Sequence, residues 1–195
     1  MPDTIAANHT VAIEDVEYQK GMLARLYRPS GAGPFPTALQ VHGGAWTSKD
    51  RTDNDFMAKT LAESGIFVAS IDFRMPPVAP HPGSIQDINL GIRWLKANAR
   101  EFKSRPEWVG SFGTSSGGHQ VLLAAMRALN STYSALPGPA GVDAKQAWVI
   151  RAGACLTRSS ATTLRKKPAT RSSCTCTIRS GSPRRRTRTP RRRRC

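Results

Sequence analysis

The feature that most limits what this chain can fold into is a break in composition at residue 150. All 13 Asp and Glu residues lie before it, with every Trp, Tyr, Phe and His, whereas 15 of the 29 Lys and Arg residues lie after it. Residues 1–150 are therefore close to neutral and aromatic enough for a buried core, and a single domain of that length is ordinary. Residues 151–195 hold no acidic or aromatic residue and are mostly basic or hydroxylic. They lack the apolar surface that would offset the entropy of ordering them. The sequence predicts a globular domain over 1–150 and a disordered Arg/Ser/Thr-rich tail over 151–195.

The formal charge of +16 and the isoelectric point near 10.9 come almost wholly from that tail. Such basicity ordinarily suggests a nucleic-acid or anionic-membrane partner. Here it says nothing about the domain, and the tail lacks aromatic residues to stack on bases, so nucleic acid is not the expected partner. Three readings of the tail stay open: an Arg-rich appendage that neutralises phosphates, a plain disordered tail, and the domain's own C-terminal half read in a shifted frame after Ile150. The change falls in what reads as mid-strand, which favours the third. All four cysteines, Cys155, Cys174, Cys176 and Cys195, lie there as well, and their spacing gives neither a zinc site nor a disulfide framework. No metal and no cofactor is expected.

The first residues show no basic segment followed by an apolar one, and no run approaches the roughly 18 apolar residues of a membrane helix. The expectation is a protein without a membrane span, soluble and cytoplasmic. Asn8-His9-Thr10 and Asn130-Ser131-Thr132 match the glycosylation sequon, which matters only after secretion.

Across the first 150 residues apolar strands alternate with amphipathic helices, the pattern of a sheet with crossover helices. Residues 11–18 and 22–27 read as an antiparallel pair, and 37–41 as a strand running into His42-Gly43-Gly44-Ala45-Trp46. Asp53 or Asn54 caps a helix through Met57 and Leu61 that Gly65 ends, and 66–71 is a buried strand. Ser84-Ile85-Gln86-Asp87 has the form of a capping box with Asp87 in place of Glu, followed by Ile85, Ile88, Ile92 and Leu95 on one helical face. Residues 108–112 read as a strand, 119–129 as a helix, and 147–150 as the start of a further buried strand.

Between that strand at 108–112 and the helix after it lies Gly113-Thr114-Ser115-Ser116-Gly117, which fits G-x-S-x-G, the turn that exposes a nucleophilic serine above a sheet. Alone the pattern arises by chance in roughly one chain of this length in fifteen. Combined with a glycine pair after an earlier strand, it predicts a reaction centre. Ser115 is the candidate nucleophile, and the Ser116 amide opens a helix whose unpaired donors favour a developing oxyanion. Gly43 and Gly44 add donors that approach a substrate with no Cβ in the way. His42 reads as a residue that pins the glycine loop. His119 stands one turn after Ser115 on the same helix and is expected to point into packing, out of reach as a base. Trp46 and the 75–82 loop either line an acyl pocket or pack on the surface, and His9 and His81 are expected to be solvated.

Residues from about 20 to 150 resemble the hormone-sensitive-lipase-like branch of the α/β-hydrolases, the α/β-hydrolase fold-3 esterases. The resemblance rests on His42-Gly43-Gly44-Ala45-Trp46, on Asp72-Phe73-Arg74-Met75-Pro76-Pro77 with Pro80 and Pro82, on Asp87 with Arg93-Trp94-Leu95, and on Gly113-Thr114-Ser115-Ser116-Gly117-Gly118. It implies a mostly parallel sheet with flanking helices, a small-molecule carboxylic ester as substrate, Ser115 as nucleophile, and Gly43, Gly44 and Ser116 as oxyanion donors. Ala45 stands where many members have a third glycine, but it keeps its N–H. The larger departure is that the family's Asp and His follow later strands, whereas beyond Ser115 this chain has one Asp, Asp143, and one His, His119. The expectation is thus a partial α/β-hydrolase domain, truncated or frame-shifted, with its sheet incomplete at the C-terminal end and nearly inactive. The alternative is a non-catalytic binding protein whose tail contacts nucleic acid or an anionic surface. Oligomeric state is not legible.

Overall fold

The computed structural model describes residues 9–153. The chain runs β1 (Val11–Gln19), β2 (Met22–Pro29), β3 (Thr37–Val41), α1 (Asp55–Glu63), β4 (Phe67–Ile71), α2 (Gly83–Ala97), a 3₁₀ turn (Pro106–Trp108), β5 (Val109–Thr114), α3 (Ser116–Met126) and β6 (Val149–Ala152). The strands form one sheet in the order β1-β2-β4-β3-β5-β6. β1, β2 and β4 pair antiparallel, as the expected hairpin requires, and β4, β3, β5 and β6 run parallel. Every residue of β3 and β4 is buried, because parallel strands joined by crossover helices are covered on both faces.

Alternation along the strands divides the core into two layers. On one face Leu39, Val41 and Ile71 meet Ile85, Ile88, Ile92 and Leu95 of α2 with Val121 and Ala124 of α3. On the other, Ala38, Val68 and Phe112 meet Ala58 and Ala62 of α1. The four α2 positions that share a helical face in the sequence are all buried, each contributing about 1.5–3 kcal/mol by leaving water. Gly91 lets α2 lie flat on the sheet: a Cβ there would sit 3.3 Å from Leu39 Cδ1 and from Ile71 Cδ1.

Three local expectations are corrected. Asp87 does not cap α2, whose N-cap is Pro82 and has no side-chain cap bond. The Asp87 carboxylate is instead fully buried and accepts from the Arg74 backbone N–H at 2.8 Å and from Arg74 Nη2 at 2.8 Å. Asn54 is the N-cap residue of α1 but lies in the left-handed region at φ 64 and makes no cap bond either. The last strand is an edge: β6 is exposed over Ile150, Arg151 and Ala152 rather than buried, and it runs two residues past the composition break. The tail expected over 151–195 otherwise falls on residues 154–195, outside the described residues.

Ion pairs tie the hairpin to the loop after β3. Asp15 accepts from Arg25 and Arg51, and Arg51 also reaches Asp72 at 3.0 Å. The hydrogen bond from Arg25, then that from Arg51, holds the Asp15 carboxyl well below the usual carboxylate range. These groups are partly exposed, whereas Asp87 is not. Asp87→Ala is therefore expected to lower unfolding free energy by about 1.5–3 kcal/mol, since it removes charge-assisted hydrogen bonds from a partly exposed guanidinium, and Asp15→Ala by about 1 kcal/mol, both measured by denaturant titration.

Candidate active site

Parallel pairing of β3 with β5, Val41 opposite Gly113, brings the ends of the two strands side by side. Each end then continues into a loop built on glycine. After β5 the chain turns at once into α3, and Ser115, the N-cap residue, takes φ 50 and ψ −120 and is exposed. Such a backbone costs on the order of 1–3 kcal/mol for a residue with a Cβ and survives only where neighbours enforce it. The neighbours are glycines. A Cβ on Gly113 would lie 2.5 Å from the Gly117 carbonyl carbon, and one on Gly117 would collide with the carbonyl oxygens of Val41 and His42. The first turn of α3 thus rests directly on the end of β3.

The glycine loop arrives at the same point. A Cβ on Gly43 would be 3.2 Å from Thr114 O and 3.3 Å from Ser115 Cβ, so this backbone runs in contact with the serine. Gly44 has φ 100, and its carbonyl accepts from the Thr47 and Ser48 amides at 3.1 Å each, closing a tight turn. The Gly43 and Gly44 amides have no acceptor among the described residues. The Ser116 amide is the first of α3, a position that helical geometry leaves without an intrahelical partner. The structure therefore brings Ser115, Ser116, Gly43 and Gly44 together.

His42 is fully buried, stacked on Phe73 at 4.3 Å, with Nδ1 2.8 Å from Gly43 O. A carbonyl can only accept, so Nδ1 carries the proton and Nε2, which has no partner among the described residues, is bare. Burial pushes the His42 pKa down, against the bond to Gly43 and the nearby carboxylates. Sequence reasoning missed a further contact: Asn54 Nδ2 donates to Thr114 Oγ1 at 3.0 Å and to Asp53 Oδ2 at 2.8 Å. It anchors the residue before Ser115 from sixty positions away, and no local pattern announces it.

The four imidazoles of the chain are accounted for, and none is hydrogen-bonded to Ser115. His119 is exposed, not packed inward as expected, and meets the Trp46 ring edge-on at 5.9 Å. His81 is exposed, as expected, with its ring edge-on to Tyr133 at 5.9 Å, whereas His9, also expected to be solvated, is half-buried with Nδ1 2.6 Å from Ser30 O. Asp143 is 2.7 Å from Lys96, whose hydrogen bond lowers its pKa.

A serine on a strand-to-helix turn, at the carboxyl ends of a mostly parallel sheet with helices on both faces, defines the α/β-hydrolase class. The chain belongs to the BD-FAE family, whose family model matches residues 25–152. It is similar to the carboxylic ester hydrolase LipN of Mycobacterium tuberculosis, 38% identical over 49% of this chain and 26% of LipN. It is also similar to the versiconal hemiacetal acetate esterase of Dothistroma septosporum, 30% identical over 64% of this chain and 38% of that protein. The chain thus spans well under half the length of these curated relatives. Among solved structures, the thermostable carboxylesterase EstE1 from a metagenomic library superposes with a TM-score of 0.57 at 26% identity, covering 63% of this chain and 44% of EstE1. These relatives agree with the hormone-sensitive-lipase-like resemblance read from the motifs. No helix among the described residues is long and apolar enough to cross a membrane.

Two outcomes are expected. Gly117→Ala forces a Cβ against two carbonyl oxygens that cannot move aside, at a cost of about 1–3 kcal/mol in thermal or denaturant unfolding. His42 has a depressed pKa, so its contribution to stability is complete above about pH 6.5 and is lost as pH falls through the folded value. Denaturation at pH 7.5, 6.5 and 5.5 should show a steeper loss for the native chain than for His42→Gln, which has no titrating group there.

Proposed function

We propose that this domain carries the acyl-transfer half of a carboxylic ester hydrolase and acts on small esters with a short acyl group. The observation that carries the reading is the contact between the Gly43 backbone and Ser115. In the proposed reaction the Ser115 hydroxyl attacks the ester carbonyl, its proton passing to solvent water and from there to the leaving alcohol, and the amides of Gly43, Gly44 and Ser116 hold the oxyanion. Collapse of that intermediate expels the alcohol, and water then releases the acid from the acyl-enzyme. One relative is a versiconal hemiacetal acetate esterase, which supports a short acyl group. His42 serves the loop rather than the proton, since its Nδ1–H is committed to Gly43 O and its ring is buried.

None of the four imidazoles is hydrogen-bonded to Ser115, which supports a serine without a base and slow turnover. Oxyanion stabilisation and binding without a working base leave only about 10³–10⁴-fold over the reaction in water. We expect p-nitrophenyl acetate hydrolysis at that low level, lost in Ser115→Ala, and sluggish labelling of Ser115 by a fluorophosphonate. Rapid stoichiometric labelling would overturn the assignment of a serine without a base. Acetate hydrolysis undiminished in Ser115→Ala would overturn the nucleophile. In the competing non-catalytic reading the cleft or the basic tail holds a ligand. The tail lies mostly outside the described residues, and the domain's strained, exposed serine beside free amides favours chemistry over simple binding.

A further inference from the structure

Asn54 stands at the start of α1, where an asparagine ordinarily caps a helix, yet its side chain makes no cap bond and its backbone sits at φ 64. Asparagine tolerates that region better than most residues with a Cβ. Its carboxamide is turned toward Asp53 and Thr114 instead, with Nδ2 2.8 Å from Asp53 Oδ2 and 3.0 Å from Thr114 Oγ1. An ionised carboxylate only accepts, so one amide hydrogen goes to Asp53 and the other to Thr114.

Both ends of this link are fixed. Asp53 Oδ1 accepts from Lys49 Nζ at 2.8 Å, and the Asp53 carbonyl accepts from Nε2 of Gln40, a fully buried residue of β3, at 2.7 Å. Thr114 is the last residue of β5 and touches the glycine loop: its Oγ1 lies 3.6 Å, and its carbonyl oxygen 3.2 Å, from the place a Cβ on Gly43 would take. The bonds from Gln40 through Asp53 and Asn54 to Thr114 therefore brace β3 against β5 at their carboxyl ends. There one strand runs into the glycine loop and the other into Ser115.

On the ester-cleaving reading of Ser115, on which this role depends, we infer that Asn54 is a positioning residue: acting through Thr114, it sets the gap between the Gly43 backbone and Ser115. That gap matters most as charge develops on the substrate oxygen, because donors fixed in advance need no reorganisation. A misplacement of about 1 Å costs up to about a hundredfold in rate. The loss of Asn54 should therefore fall on kcat and leave KM in place.

The test is p-nitrophenyl acetate hydrolysis by the full chain, counted as the part lost in Ser115→Ala. Asn54→Gly suits both φ 64 and an N-cap position, so it removes the side chain without straining the backbone. It should lower kcat roughly tenfold or more with KM unchanged. Thr114→Val should do the same, and Thr114→Ser, which keeps the hydroxyl, should restore most of the rate. Asn54→Gly and Thr114→Val together should cost no more than either alone, as expected of two residues acting through one bond. Tyr27→Phe is the control for a loosened α1, since it deletes the 2.6 Å bond from Tyr27 Oη to Asp55 Oδ1 at the same helix start. It should lower Tm and leave kcat alone. If Asn54→Gly does not fold, the contrast between Thr114→Val and Thr114→Ser carries the test. An unchanged kcat in Asn54→Gly, no difference between Thr114→Val and Thr114→Ser, additive losses in the double variant, or an equal loss in Tyr27→Phe would each overturn the positioning role while leaving Ser115 as nucleophile. Hydrolysis of which no part is lost in Ser115→Ala would overturn the ester-cleaving reading and the role of Asn54 with it.

Discussion

The first turn of α3 sits on the end of β3 with only backbone between them, and the geometry of the site follows from that contact. Gly117 has no room for a side chain because the Val41 and His42 carbonyls occupy the space, and Gly113 has none because Gly117 does. With the helix held that close, Ser115 has no way out of the turn except through its strained φ of 50. The Gly43 backbone then lies against the serine as a consequence of the strand pairing. Strain at the serine is thus offset by packing of the sheet, and the two cannot be altered independently.

Around this contact the loops are fixed by polar groups drawn from distant parts of the chain. Asn54 reaches Thr114, Arg51 joins Asp15 to Asp72, and Tyr18 Oη donates to Asp72 O at 2.7 Å. The stretch between β3 and α1 is therefore held at several points although it has no regular structure of its own. Exposed ion pairs are individually weak. Here they act together on one loop, alongside the buried bond from His42 to Gly43 that fixes the peptide beside the serine.

What the sequence made legible was what local chemistry determines. The elbow needs glycines at fixed offsets, the parallel strands need continuous apolar runs, and α2 needs Ile85, Ile88, Ile92 and Leu95 at helical spacing; all were visible without coordinates. Asp87 was misread because its partner, Arg74, is thirteen residues away in a different element, and a carboxylate near a helix start looks the same whether it caps or pairs. Asn54 was invisible as a site residue for the same reason, its partner Thr114 being set by the fold. His119 was expected inside, yet a residue four positions after an exposed helix start returns to the same exposed face, where it meets Trp46. The order of the sheet, with β3 inserted between β4 and β5, is likewise a tertiary outcome that alternation alone does not specify.

The parts of the site divide by the segments that build them. The amides proposed to hold the oxyanion come from the loop after β3 and the start of α3, so the proposed stabilisation lies within residues 37–126 and rests on contacts buried in the core. Of the three imidazoles in that segment, His42 is buried and bonded to Gly43 O, while His81 and His119 are exposed, and none is hydrogen-bonded to Ser115. Fixed dipoles need no reorganisation when charge develops, whereas a base must also reach the nucleophile and hold the right protonation state. The packing that would hold the proposed oxyanion donors is thus the packing that folds the sheet, and it sets no requirement on where a base lies.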